Sequence, residues 1–207
     1  MNRPVDNLSD VQHRRKWALA VGLAVILGVA LVTSSTWTLS GPVHETFEAA
    51  GFVMILVCIL GRTWCTLYVG GKKKSNLVRH GPYSVTRNPL YLFSVMGAAG
   101  VGLTSGSLTV GFLLALATFL VFDHVVRREE RFLGRIFGAG YDDYRRRVPR
   151  WWPRPSAWTD LEHVEARPRL MLITFRDACV FLLAVPLLEG IEWLQASHLL
   201  PIWLQLP

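Results

Sequence analysis

Apolar residues along the chain fall into long runs separated by short polar breaks, and this spacing predicts helices that cross a membrane. A helix needs about 20 mostly apolar residues to traverse a hydrocarbon core of roughly 30 Å. Trp17 to about Thr36 meets this without a charge, and Phe47–Val69 meets it with only Glu48 and Arg62 inside. Pro89–Leu103 and Leu108–Val126 are shorter runs parted by Thr104-Ser-Gly-Ser107, the mark of a tight helical hairpin. A fifth run, Met171 to about Leu194, carries Arg176, Asp177, Glu189 and Glu192. Ionisable groups inside a span are costly, so Arg176 and Asp177 are expected at an interface, paired with neighbours, and the two glutamates near water at the far end. Ile202–Pro207 reads as a re-entrant or interfacial end. The first run follows Arg14-Arg-Lys16, yet it is long and lacks a small-residue cleavage site, so it reads as a retained anchor. The expected fold is all-α: a polytopic helical membrane protein of about five spans, treated as one domain over 1–207.

The main polar segment, Arg127–Pro168, starts as a continuation of the fourth helix. Its pattern breaks at Phe137-Gly-Ala-Gly140, turns back through Tyr141-Asp-Asp-Tyr144 and ends in Val148-Pro-Arg-Trp-Trp-Pro153. A cytoplasmic helical segment between the fourth and fifth spans is therefore expected, with Trp151 and Trp152 as interfacial anchors.

Composition agrees with the pattern. Hydrophobic residues make up 51% and charged residues 18% of the 207, below the roughly 25% charge usual in soluble domains. The formal net charge of +7 would suggest nucleic acid in a soluble chain, but its distribution argues otherwise. Four Lys and Arg precede the first span, six run from the end of the second span (Arg62) to the third, and twelve follow the fourth into the start of the fifth; these are all 22. With five spans, every one falls on the same side. The positive-inside rule makes that side cytoplasmic, together with the N-terminus and the loops between spans two and three and between four and five. A basic cytoplasmic face suits anionic lipid headgroups, and nucleic acid is not an expected partner. Cys58, Cys65 and Cys179 show no disulfide framework and no metal-ligand spacing.

Two polar segments carry candidate chemistry. In Gly70–Tyr91, Asn88 and Pro89 form a helix-start pair, an N-cap followed by proline at the first helical position. Such a start presents backbone N–H groups to an anionic ligand, flanked by Tyr83 and Tyr91, which can stack on a planar ring. As alternatives, the loop is an ordinary capped helix start, and Glu129-Glu130 an ion-pair face among arginines or a pair that binds ribose hydroxyls or an amine.

Gly81-Pro-Tyr…Arg87-Asn-Pro-Leu-Tyr91, followed by Glu129-Glu130…Phe137-Gly…Tyr141…Tyr144…Arg147-Val-Pro149, resembles the isoprenylcysteine carboxyl methyltransferase family and its phospholipid methyltransferase relatives. The resemblance covers about Gly70–Pro153. It implies an integral membrane methyltransferase that uses S-adenosyl-L-methionine in a cytoplasm-facing pocket, with a lipid or other lipophilic acceptor entering from the bilayer. Carried over, Leu77, Val78 and Tyr83 fall in the cofactor loop. Arg87, Asn88, Pro89 and Tyr91 fall in the box that reads Arg-His-Pro-x-Tyr in the family, and Glu129, with Glu130, falls at the acidic cofactor position. Asn88 stands where the family has histidine and Phe93 where it has glycine. Val125 stands where the family has the arginine implicated in holding an acceptor carboxylate, leaving Arg127 or Arg128 as substitutes. His80 is the candidate base. No metal is implied.

Transfer from a sulfonium depends mainly on positioning and desolvation. A carboxylate acceptor calls for nearby cations and an amine acceptor for a base, so ester and amine products both stay open. A sterol-reductase-like enzyme is a further reading, against which the short length argues. So is a non-catalytic membrane accessory with the same fold. The localisation expected is a bacterial inner membrane.

Overall fold

The computed structural model describes residues 33–37, 41–70 and 76–206. Its elements are β1 (Thr33–Ser35), α1 (Pro42–Val69), α2 (Pro82–Val85), α3 (Pro89–Leu103), α4 (Leu108–Phe137), α5 (Ala139–Arg147), α6 (Pro168–Cys179), α7 (Ala184–Ala196) and β2 (Leu204–Leu206). A 3₁₀ turn at Val180–Leu183 joins α6 to α7.

Among the described residues, three helical stretches are long and apolar enough to cross a membrane: Pro42–Val69, Leu108–Phe137 and Pro168–Ala196. At 15 residues, α3 is about 22 Å long at 1.5 Å per residue, short of the hydrocarbon thickness. Of the expected first span, the greater part lies outside the described residues. Its last residues, Thr33–Ser35, are not helical but pair in parallel with Leu204–Leu206. The C-terminal run expected to be re-entrant or interfacial is thus the partner strand of a small two-stranded pairing, the exception to the all-α expectation. Neither three-residue segment has a helical period to follow, so backbone pairing decides.

Small residues let α1, α3 and α4 pack at close range. A Cβ at Gly51 would lie 2.6 Å from the Gly100 carbonyl oxygen, and one at Gly102 would lie 2.5 Å from Gly111 Cα. This is the packing mode of helices in lipid, where close van der Waals contact replaces hydrophobic drive. The expected hairpin forms between α3 and α4, with Ser107 as N-cap accepting from the Val110 N–H at 3.2 Å. Ile55 and Ile59 of α1, Val101 of α3, Ala178 of α6 and Ala184 and Leu188 of α7 form the core cluster. Phe112, Leu113, Leu116 and Leu120 of α4 face outward, as suits a lipid-facing surface.

The charges of the last run find neighbours. Arg176 Nη2 lies 3.1 Å from Asp177 Oδ1, and Glu192 Oε2 lies 3.7 Å from Nε2 of the buried His44. As predicted, α4 continues past its apolar stretch to Phe137. It is broken by Gly138, whose φ of +49° starts α5 in a new direction.

Candidate functional site

The motif loop is shaped by Gly81. Its φ of +60° is a conformation that glycine adopts at little cost, and a Cβ there would lie 2.3 Å from the Tyr68 ring. Pro82 then opens the short turn α2, which buries Tyr83.

A strap running from Pro149 to Val164 closes over this loop, held largely through backbone groups. Arg87 N–H donates to Pro149 O at 2.9 Å, Arg154 N–H to Val85 O at 2.9 Å, and Gly81 N–H to Thr159 O at 2.8 Å. Thr86 Oγ1 donates to the Arg150 and Trp151 carbonyls at 3.1 and 3.2 Å. The Tyr68 hydroxyl donates to the Asp160 carboxylate at 3.0 Å, and the Trp64 and Trp158 rings stack 5.6 Å apart. Trp151 donates its indole N–H to Asp123 at 3.0 Å, while Trp152 is 84% exposed, as an interfacial anchor would be.

Asn88 belongs to this arrangement. It occupies the N-cap position of α3, but its side chain makes no capping bond. Its Nδ2 donates instead to the Arg150 carbonyl of the strap at 3.2 Å, which orients the amide away from the helix-start N–H groups. Asn88→Ala is therefore expected to loosen the strap at a cost of about 0.5–1.5 kcal/mol, the net worth of one hydrogen bond. Limited proteolysis should then cut faster at Arg154 than in the unsubstituted protein.

The two glutamates of α4 part company. Glu130, 6% exposed, sits between Arg150, whose Nη2 lies at 2.7 Å, and Arg87, whose Nη1 lies at 3.5 Å. It is committed to a buried ionic triad. Glu129 is half-buried and close enough to Tyr83 to act on its phenol. Burial, with Glu129 among the nearby groups, pushes that phenol well above its ordinary range. Burial also pushes Tyr141 up to about 12, with Glu130 the next cause, and raises Tyr144 further. These hydroxyls stay protonated near neutral pH, so they serve as donors there. Tyr144, for one, donates to the Tyr83 carbonyl at 2.7 Å.

The remaining candidates divide by position. Val78 packs with Tyr83, Cys65 and Tyr68; Leu77 packs with Tyr141, Tyr144 and Val148. Pro89 is the first residue of α3, and the Tyr91 ring lies 4.9 Å from that of Phe122. His80 is half-buried in the loop. Arg127 is 58% exposed and held by Asp123 at 2.6 Å, and Arg128 is exposed, so both stand outside the group formed by Tyr83, Tyr91 and Glu129. Beside the loop, an open cleft of about 440 Å³ is lined by Asn76, Leu77, Arg79, Phe137 and Gly140.

The donor set fits a polar organic cofactor. His80 Nδ1 and the Nε and Nη1 of Arg87 are buried without a hydrogen-bond partner. Arg87 Nη1 still lies 3.5 Å from the Glu130 carboxylate, so His80 Nδ1 and Arg87 Nε are the buried atoms that a ligand's polar groups would satisfy, each worth about 1–3 kcal/mol. Among the described residues, no group of three or more His, Cys, Asp or Glu is placed to hold a metal ion. Beyond Pro153 the strap carries no motif, because its bonds to the loop run mainly through backbone groups, which leave no residue-type signature. Arg150 lies within the quoted segment, but its pairing with Glu130 has no local signal in the sequence.

Comparisons with known proteins give a partial family profile and several relatives. The phospholipid methyltransferase family profile matches residues 49–140. The chain is 32% identical to the nickel-cobalt-cadmium resistance protein NccN of Alcaligenes xylosoxydans xylosoxydans, over 96% of this chain and 94% of that protein. It is 35% identical to the cobalt-zinc-cadmium resistance protein CzcN of Cupriavidus metallidurans, over 76% of this chain and 71% of that protein. With the protein-S-isoprenylcysteine O-methyltransferase of Schizosaccharomyces pombe it shares 28% identity, over 43% of this chain and 38% of that protein. No solved structure matches the chain.

Proposed function

We propose that the chain, which belongs with the metal-resistance proteins NccN and CzcN and matches the phospholipid methyltransferase profile over residues 49–140, transfers a methyl group from S-adenosyl-L-methionine to a lipid or other lipophilic acceptor. The carrying observation is that Tyr83, buried in the loop that also holds His80 and Arg87, lies within electrostatic reach of Glu129 and Tyr91. When bound, the cofactor supplies a methyl group already activated by its sulfonium charge.

This chain's residues then hold and exclude. Glu129 accepts hydrogen bonds from hydroxyl or ammonium groups of the ligand, and Arg87 and His80 offer donors to its acceptors. Tyr83 and Tyr91 supply apolar ring surface, and Leu77 and Val78 hold the loop against the helices behind it. The strap keeps water from the loop's far side. For an amine acceptor His80 is the candidate base; for a carboxylate none is required. Arg127 and Arg128 are better suited to the lipid headgroup layer than to the reacting atoms. The orientation that fits is the motif loop and N-terminus in the cytoplasm, in a bacterial inner membrane, since all 22 Lys and Arg would share that side.

The resistance proteins suggest the setting: modification of a membrane component in cells facing toxic divalent cations. They also favour a second reading, a non-catalytic accessory of a resistance system, because the likeness to them spans most of the chain and because Asn88 and Phe93 depart from the family motif. One measurement separates the two. Purified protein should bind S-adenosyl-L-methionine in titration calorimetry, and Glu129→Ala should weaken that binding by about 10–100-fold, or 1.4–2.8 kcal/mol. Labelled methyl should appear in native membrane lipids, with base-labile label marking an ester and stable label an amine. Absence of cofactor binding by the unsubstituted protein would leave the accessory reading.

A further inference from the structure

We propose that Arg62, held by Ser94 at the seam of α1 and α3, is the seat for an anionic headgroup, carboxylate or phosphate, of the membrane amphiphile that the protein handles; naming that amphiphile the methyl acceptor rests on the methyltransferase reading.

An arginine inside an apolar span costs about 2.5–3.5 kcal/mol on insertion scales and marks a functional position by default. Arg62 lies seven residues before the end of α1 at Val69, and Ser94 lies five residues into α3. At 1.5 Å per residue both are about 8–10 Å below the motif end of the bundle. That is the level of an amphiphile's headgroup when its tail lies in hydrocarbon.

The guanidinium is aimed rather than free to swing. Arg62 Nη1 donates to Ser94 Oγ, and the Ser94 hydroxyl donates onward to the Leu90 carbonyl at 2.8 Å. This fixes the plane of the guanidinium, a group whose shape suits carboxylate and phosphate oxygens. One turn to either side on α1, the buried Cys58 and Cys65 both lie within reach of its charge. Cys65 packs on Tyr83, whose phenol lies within electrostatic reach of Glu129. The cation therefore stands about two helical turns below the proposed cofactor loop. The residues expected to supply the acceptor-side cation do not compete for this position. Val125 carries no charge, Arg127 is bound to Asp123 on the outer face, and Arg128 is exposed.

The test uses the full chain in phosphatidylcholine nanodiscs, with tryptophan quenching by dibrominated stearate, stearyl phosphate and stearylamine as probes. The unsubstituted protein should show saturable quenching by one or both anions and weaker quenching by the amine. Arg62→Met should weaken anion binding by about tenfold or more, and Arg62→Lys should restore most of it. Ser94→Ala, which keeps the charge, should weaken it severalfold. Circular dichroism and S-adenosyl-L-methionine binding should be unchanged in the lysine and alanine variants, which carry the test if the methionine variant misfolds. Whichever anion binds more tightly identifies the headgroup. Equal binding of amine and anions, or anion binding indifferent to Arg62 and Ser94, would overturn the proposal. Loss of cofactor binding in the unsubstituted protein would overturn the methyltransferase reading alone.

Discussion

Replacing Glu130 with alanine is expected to lower the stability of the protein by about 3–5 kcal/mol, the cost of leaving buried charge uncompensated. Arg87, 9% exposed, would then face no carboxylate, and Arg150 would lose both its hydrogen bonds and its reason to hold the strap against α4. Glu130→Gln keeps the shape and an acceptor oxygen but removes the charge, so it should fall between. The surface pair Arg147–Asp143, with the arginine 70% exposed, is the control: Arg147→Ala should cost no more than about 0.5 kcal/mol. Thermal unfolding in mild detergent, followed by circular dichroism, checks all three. The order expected is Glu130→Ala lowest, then Glu130→Gln, then Arg147→Ala near the unsubstituted protein. If Glu130→Ala melts with Arg147→Ala, the triad does not hold the strap.

The same triad shows where sequence reading reaches and where it stops. The apolar period and the Thr104–Ser107 break placed α1 and the α3–α4 hairpin, because length and hydropathy dominate helix formation in lipid. The Phe137-Gly-Ala-Gly140 break was legible because Gly138 has the left-handed φ that a sharp redirection needs. The motif residues Tyr83 and Glu129 were legible as a pair only through family resemblance; nothing local to either shows that they meet. Glu129 and Glu130 could not be told apart by type. Their roles differ because successive helix residues point about 100° apart, so one faces the strap and its neighbour faces Tyr83. Asn88 looked like a cap and is a strap anchor, since the competing carbonyl of Arg150 is 62 residues away in sequence. Thr33–Ser35 read as the end of a helix for a similar reason: its strand partner lies at the opposite end of the chain.

The departure at Phe93 carries the last expectation. Where the family has glycine, this chain places a ring, and the facing helix gives way: a Cβ on Gly61 would lie 2.4–2.6 Å from Phe93 ring atoms. The small residue has in effect moved from α3 to α1, which keeps the two helices close while the ring packs with Cys65, Tyr68 and Tyr83. Gly61→Ala should therefore overpack the seam and destabilise by about 1–3 kcal/mol. Phe93→Ala alone should leave a void costing about 2–3 kcal/mol, less than a fully buried phenylalanine, because the ring is half-buried. Combined, the new methyl at position 61 enters space the ring has left, so the double variant should be more stable than the summed single effects by about 0.5–3 kcal/mol. A double-mutant cycle by thermal unfolding measures this coupling directly. Strict additivity would mean that the two positions do not share the space and that the ring is accommodated elsewhere. A positive coupling would also bear on the motif end, because Ser94 follows Phe93 and Arg62 follows Gly61. The contact that seats the ring then sets the register in which Ser94 meets Arg62.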